Sequence, residues 1–202
     1  MMARTPELQA RRDRSDLVTG VIVGAVVIAF LLYRGANAVA SLFAAPGAVT
    51  VDAPIPAQKV MTGLGQGTEA TVTSGTLVVA DVNTVSVICL VLAIVLSTLG
   101  LVAAATLGVC SCIRMLRGRI FDRVNVRLLL LLSMSFLLAW AGEYCFRTMG
   151  LNGVFAALDE YGGRTDLDFA SISLVVAAVS VGVLVIVFRR GVALQKETEG
   201  LV

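Results

Sequence analysis

The side chain best suited to do chemistry is a glutamate inside an apolar run. Glu143 precedes Arg147 by four residues, which places both on one face of a helix in the order that favours an ion pair. Arg34 follows another apolar run, and its side chain could reach the same depth in the membrane as Glu143 and Arg147. Ionisable groups in membrane helices usually face a bundle interior or a wet cavity. The sequence therefore predicts a structural ion pair of Glu143, Arg147 and Arg34, and the alternative is a binding or proton site.

The other reactive side chains give weaker signals. The chain has no histidine, which excludes an internal Ser–His or Cys–His nucleophile and removes the commonest metal ligand. Cys89 and Cys145 could lie at similar depth in two helices, so a disulfide is conceivable, although such cysteines more often fill space as small apolar residues. Cys110 and Cys112 lack the spacing of a metal site. We therefore expect no enzyme activity, no cofactor and no metal.

The elements that must position these residues are membrane helices. Hydrophobic residues make up 57% of the chain and charged residues 15%, whereas a soluble domain is about 25% charged. Four apolar runs each approach the roughly 20 residues that a helix needs to cross a membrane. None of the runs shows the strict alternation of a membrane β-barrel. The predicted fold is an all-α membrane protein, a four-transmembrane-helix bundle with a small extracytoplasmic β element between helices 1 and 2.

The predicted organisation is a single membrane domain. Its segments are a cytoplasmic N-terminus at 1–16, helix 1 at 17–45, an outer β-rich loop at 46–84, helix 2 at 85–111, a cytoplasmic loop at 112–122, helix 3 at 123–149, an outer loop at 150–168, helix 4 at 169–190 and a cytoplasmic tail at 191–202. The alternative is cleavage of helix 1 as a signal peptide near Ala38-Val39-Ala40, which would leave three helices.

Basic residues predict the orientation. The N-terminus, the loop between helices 2 and 3 and the tail together carry 12 of the 16 Lys and Arg residues. The positive-inside rule places that side in the cytoplasm. We therefore expect a multi-pass protein of the inner (cell) membrane with both termini inside.

The segment between helices 1 and 2 has the composition of β-strands. Residues 48–55 and 68–82 are rich in Val and Thr, Ser74-Gly75 is a turn signal inside the second stretch, and the glycines of 63–67 suggest a flexible link. A lone hairpin is marginal in water, so we expect this one to pack on the second outer loop, another strand or another subunit.

Small residues four apart mark helix contacts. They are Gly20 and Gly24, then Gly100, Ala104 and Gly108, then Ala178 and Gly182. Such stripes let backbones approach closely, either inside one bundle or between two copies of the chain.

The loop between helices 2 and 3 carries helix-end signals. Gly118 suits the end of helix 2, and Asp122 suits the cap of helix 3. The loop's arginines could reach anionic lipid headgroups or an acidic surface of a partner. We expect a topology signal that also anchors the chain to the cytoplasmic headgroups.

Two segments resemble a known family. Residues 116–127, LRGRIFDRVNVR, resemble the Gly–Phe–Asn-Val-Arg loop of a bacterial membrane family, the domain-of-unknown-function family 2975. The end of the chain is similar to that family's Phe–Gly–Leu and Glu-x-Glu-Gly-Leu-Val ending. The positions that carry the resemblance are Gly118, Phe121, Asp122, Asn125 and Arg127 in the loop, and Phe188, Gly191, Leu194, Glu197 and Glu199 in the tail. The resemblance implies a four-helix inner-membrane protein and supplies no reaction.

Three functions fit these observations. The first hypothesis is a non-enzymatic accessory or structural subunit of a membrane assembly, whose partner is another membrane protein or a second copy of the chain. The second is a membrane sensor or regulator acting on a cytoplasmic partner such as a small helix-turn-helix regulator, which some members of the resembled family accompany. The third is a small transporter or channel, although transporters usually place their sites near the midplane. We expect no direct nucleic-acid binding.

Overall fold

The fold consists of four long helices and a two-stranded sheet. The computed structural model describes residues 6–61, 69–119, 122–160 and 169–199. Its elements, in chain order, are α1 (Pro6–Leu42), β1 (Ala48–Met61), β2 (Glu69–Ala80), α2 (Thr84–Leu116), α3 (Arg123–Ala157) and α4 (Phe169–Glu199). Every one of these helices is long and apolar enough to span a membrane. The prediction of four such helices with a small β element between the first two is confirmed.

The helices differ from the predicted segments at their ends. α1 begins at Pro6, before the predicted residue 17, and proline suits the first turn of a helix. α2 runs to Leu116, α3 to Ala157 and α4 to Glu199, all beyond the predicted ends. The predicted bounds followed hydropathy, which measures what can lie in lipid. A helix can continue through polar residues until a turn or a proline stops it, as Pro46-Gly47 does after α1.

The chain forms two compact units. The first comprises Met1–Arg34, Leu96–Ala141 and Ala170–Val202, and the second comprises Gly35–Val95 and Gly142–Phe169.

In the first unit, small residues lie at the helix contacts. A Cβ atom on Gly24 of α1 would overlap the Val109 side chain of α2. A Cβ atom on Gly100 of α2 would lie 2.7 Å from the Cβ of Ala139 in α3, closer than unstrained packing allows. The predicted small residues therefore serve close packing inside the chain.

A buried hydroxyl joins α3 to α4 in the same unit. Ser133 Oγ of α3 donates a 2.8 Å hydrogen bond to the main-chain oxygen of Ala178 in α4. Both residues are buried, and Gly182 lies near the same serine. A side-chain bond to a helix carbonyl satisfies a polar group that lipid could not.

In the second unit, β1 and β2 form an antiparallel hairpin whose inner face packs on helices. The strands pair from Ala48 with Ala80 to Met61 with Glu69, with an irregularity between Pro54 and Gln58. The first core cluster of the hairpin joins strand residues to three helices: Leu42, Val49, Val79, Leu90 and Val154. The second cluster is Ala53, Leu151 and Phe155.

This packing corrects two expectations. Ser74-Gly75 is not a turn, because both residues lie within β2, opposite Pro54 and Ala53. The hairpin does pack on the segment predicted as the second outer loop, but Leu151 and Phe155 there belong to the last turns of α3. The predicted flexible link at 63–67 lies outside the described residues.

Candidate functional site

The turn between α2 and α3 is organised by its backbone. Gly118 has a φ angle of 76°, which favours glycine over any residue with a Cβ atom. The amide of Arg119 donates to the oxygen of Arg114 at 3.1 Å, and that of Gly118 donates to the oxygen of Met115 at 2.9 Å. These two bonds form the Schellman motif that ends a helix. The predicted role of Gly118 as the end of helix 2 is confirmed.

Asp122 caps the start of α3, as predicted. Its Oδ1 accepts a hydrogen bond from the amide of Val124 at 3.4 Å, which satisfies a free donor of the first turn. This backbone hydrogen bond lowers the pKa of Asp122, and the neighbouring Arg114 guanidinium lowers it further. The carboxyl group is therefore ionised at neutral pH and available for an ion pair.

A buried amide closes the turn. Asn125 is 0% exposed, and its Nδ2 donates to the main-chain oxygen of Arg119 at 2.5 Å. Arg114 Nε donates to Asn125 Oδ1 at 3.0 Å, and Arg114 Nη2 pairs with the Asp122 carboxylate. Burying an amide is costly unless it is hydrogen-bonded, so these contacts hold the turn in one conformation. We call Arg114, Asp122 and Asn125, with the Arg119 carbonyl, the turn lock.

Three of the five predicted residues of the loop motif lie together in the turn. Gly118, Asp122 and Asn125 lie within the turn, whereas Phe121 lies outside the described residues and Arg127 is exposed on α3. Arg114 is central to the lock, although it was not among the predicted positions of the loop motif. Its signal was the single acidic residue in an otherwise basic segment, because a partly buried carboxylate requires a partner.

The lock leaves several cations exposed. Arg114 is paired and partly covered, with 23% of its side chain exposed. The exposed arginines of the turn and of the first turns of α3 are Arg117, Arg119, Arg123 and Arg127. Guanidinium groups bind phosphate oxygens through paired N–H donors, so this surface has the chemistry to bind phosphate-bearing groups.

Arg147 makes a contact that the predicted ion pair did not include. The Nη2 of Arg147 donates to the main-chain oxygen of Asp52 in β1 at 3.1 Å, which ties α3 to the hairpin. Glu143 is half-buried one turn earlier on α3, and Arg34 is exposed on α1. The ion pair of Glu143, Arg147 and Arg34 stays a prediction. Sequence spacing could not reveal the Asp52 contact, because any residue offers a main-chain oxygen.

The tail motif lies on a helix. α4 continues through the segment predicted as the tail, where Phe188 and Gly191 are half-buried and Leu194 is exposed. Glu197 and Glu199 belong to the same helix, but their side chains lie outside what the structure describes.

The cysteines are free thiols. Cys89 is buried and Cys145 is exposed, so the conceivable disulfide between them is not formed. Within the described residues, no three metal-ligating side chains cluster. No family model, curated protein or solved structure matches the chain.

Proposed function

We propose that the chain is a non-enzymatic accessory or structural subunit of an inner-membrane assembly, anchored at the cytoplasmic face by its α2–α3 turn. Both termini and this turn lie in the cytoplasm, and the hairpin lies outside. The basic asymmetry of the sequence supports this orientation, because the predicted cytoplasmic segments hold most of the Lys and Arg residues. The resemblance of the turn and tail to the family of domain-of-unknown-function 2975 agrees with it.

The turn lock is the observation that carries the proposal. It binds one arginine inside the turn and orders the segment that bears Arg117, Arg119 and Arg123. Ordered cations lose less conformational entropy on binding than cations on a flexible loop. Each Lys or Arg near an anionic membrane surface contributes about 1 kcal/mol of attraction. The turn is therefore suited to hold anionic headgroups.

The apolar faces of the helices support a role within the membrane. Ile22, Val26 and Phe30 of α1 are all exposed. α4 likewise exposes Val176, Val179 and Val183. Lipid chains or the helices of another membrane protein would cover such faces.

Native mass spectrometry of the purified protein tests the proposal. We expect bound anionic phospholipid in preference to phosphatidylcholine, and we expect the triple variant R117Q/R119Q/R123Q to lose that preference. The control is R34Q, which removes an exposed arginine from α1. An unchanged lipid preference in the triple variant would contradict headgroup binding by the turn.

Co-purification in a stable stoichiometry with another membrane protein supports the subunit role, and isolation of the chain without one would contradict it.

The extent of α4 favours a second candidate, a sensor or regulator. The helix continues to Glu199 and so turns the predicted tail into a helical extension. A helix can transmit a displacement to a cytoplasmic partner, such as a small helix-turn-helix regulator, better than a flexible tail can. Removal of residues 191–202 would abolish binding of such a partner, and the membrane assembly of the first candidate would persist.

A further inference from the structure

The two edges of the hairpin are protected differently. β1 contains Pro54 and Pro56, which have no N–H to offer to another strand, and its pairing is irregular between Pro54 and Gln58. Arg147 occupies the main-chain oxygen of Asp52 on the same strand. Prolines, irregular pairing and charged side chains are the devices with which proteins keep an edge strand from pairing further.

β2 has none of these devices over most of its length. From Ala70 to Ala80 it contains neither a proline nor a charged residue, and it is rich in Val and Thr. Ser74, Thr76 and Val78 are exposed, with Val78 60% exposed. Among the described residues, no third strand pairs with β2. A long, uncharged, exposed edge of this kind is a template for strand addition.

The register identifies the groups on the open edge. In an antiparallel pair, the N–H and C=O of one residue point to the same side, and the side alternates along the strand. The Asp52 oxygen accepts a bond from outside the sheet, which indicates that it points away from β2. Thr76 is paired with Asp52, so its main-chain groups point away from β1. By alternation, Ser74 and Val78 present their main-chain groups on the same open edge.

We infer that β2 pairs with β2 of a second copy of this chain and thereby forms a four-stranded sheet across a dimer. The inference rests on the proposed membrane orientation, because two copies with one orientation present their hairpins on the same side. An antiparallel pair centred on Thr76 places Ser74 opposite Val78 of the copy. This arrangement keeps the two Glu69 residues apart, whereas parallel in-register pairing would oppose them. On the exposed face this register sets Thr76 opposite Thr76 and Ser74 opposite Val78, so no charge of β2 is opposed by a like charge there.

Cysteine cross-linking tests the contact in membranes. In the C110S/C145S background, which lacks the two exposed native thiols, T76C should form a disulfide-linked dimer under mild oxidation. Q58C places an exposed thiol on β1 and should leave the chain monomeric on a denaturing gel. Equal cross-linking of both variants, or none at T76C, would overturn the inference. A disulfide from T76C to a different protein would also overturn it, because the occupant would not be a second copy.

A matched pair of double variants tests the register. S74K/V78K would place lysine opposite lysine in the proposed dimer, and S74E/V78K would place glutamate opposite lysine. We expect the first to shift the mass in detergent from dimer to monomer, measured by light scattering, and the second to remain dimeric. Two dimeric variants, or two monomeric ones, would overturn the inference.

The lipid preference of R117Q/R119Q/R123Q is measured separately, so failure of the dimer and failure of the proposed function are distinguishable.

Discussion

The α2–α3 turn is stabilised mainly by polar contacts, whereas the β-hairpin is stabilised on its inner face by apolar burial. The turn closes within twelve residues of sequence, from Arg114 to Asn125, and its bonds are polar and directional. The inner face of the hairpin is held by apolar burial against helix residues, of which Val154 lies more than seventy positions beyond β2 in the sequence. Polar contacts of short span can fix the geometry of a loop, whereas apolar contacts of long span can fix only which face is buried. Substitutions in one region should therefore leave the other intact.

The largest effect is expected in the hairpin core. Leu90→Ala removes a buried side chain that packs with Val49 and Val154, and such truncations cost about 3 kcal/mol of unfolding free energy. Amide exchange of β1 and β2 should accelerate, whereas the amides of Arg119 and Val124 should keep their protection. Unchanged exchange in the strands would show that the helices do not support the hairpin. Leu99→Ala, which truncates an exposed leucine of the same helix, serves as the control.

In the turn, Asn125→Leu should lower the unfolding free energy by somewhat less than Leu90→Ala does in the hairpin core. Leucine has a similar volume but leaves Arg114 Nε and the Arg119 oxygen without their amide partner, which costs about 2 kcal/mol. Arg119 and its neighbours should lose amide protection, and the strands should not. Faster exchange in the strands as well would contradict the independence of the two regions.

Acid should loosen the turn before the hairpin. The pKa of Asp122 is lowered in the folded chain, so its stabilising contribution is present above the ordinary value of 3.8 and is lost as pH falls through the lower folded value. Amide exchange at Val124, corrected for its intrinsic pH dependence, should show this loss. The same measurement on Asp122→Asn should show no such step. A step retained in Asp122→Asn would assign the titration to another group.

The smallest effect is expected at Arg147. Arg147→Gln removes the hydrogen bond to the Asp52 oxygen, which contributes about 1 kcal/mol at an exposed site. Combining this change with Glu143→Gln in a double-mutant cycle measures the predicted ion pair directly. A coupling energy near zero would rule out that pair and leave the Asp52 contact as the main role of Arg147.

The sequence predicted the elements better than their contacts. Apolar length identified four helices, Val and Thr enrichment identified the strands, and Gly118 and Asp122 were recognised because cap positions favour particular residue types. Arg114 was missed because its partners, Asp122 and Asn125, lie across the turn, and a single acidic residue in a basic segment does not show which arginine pairs with it. The interior position of Ser74-Gly75 was misread because turn propensity is weaker than strand pairing once the hairpin packs on α3.

Labelling of single cysteines in intact cells tests the central claim, the orientation of the two regions, most directly. In a background with the four native cysteines replaced, a thiol reagent that cannot cross the membrane should label T73C in β2 and fail to label R117C in the turn until the membrane is permeabilised. Both positions are exposed in the structure, so burial does not limit the reaction. Labelling of R117C in intact cells, with T73C protected, would contradict the account.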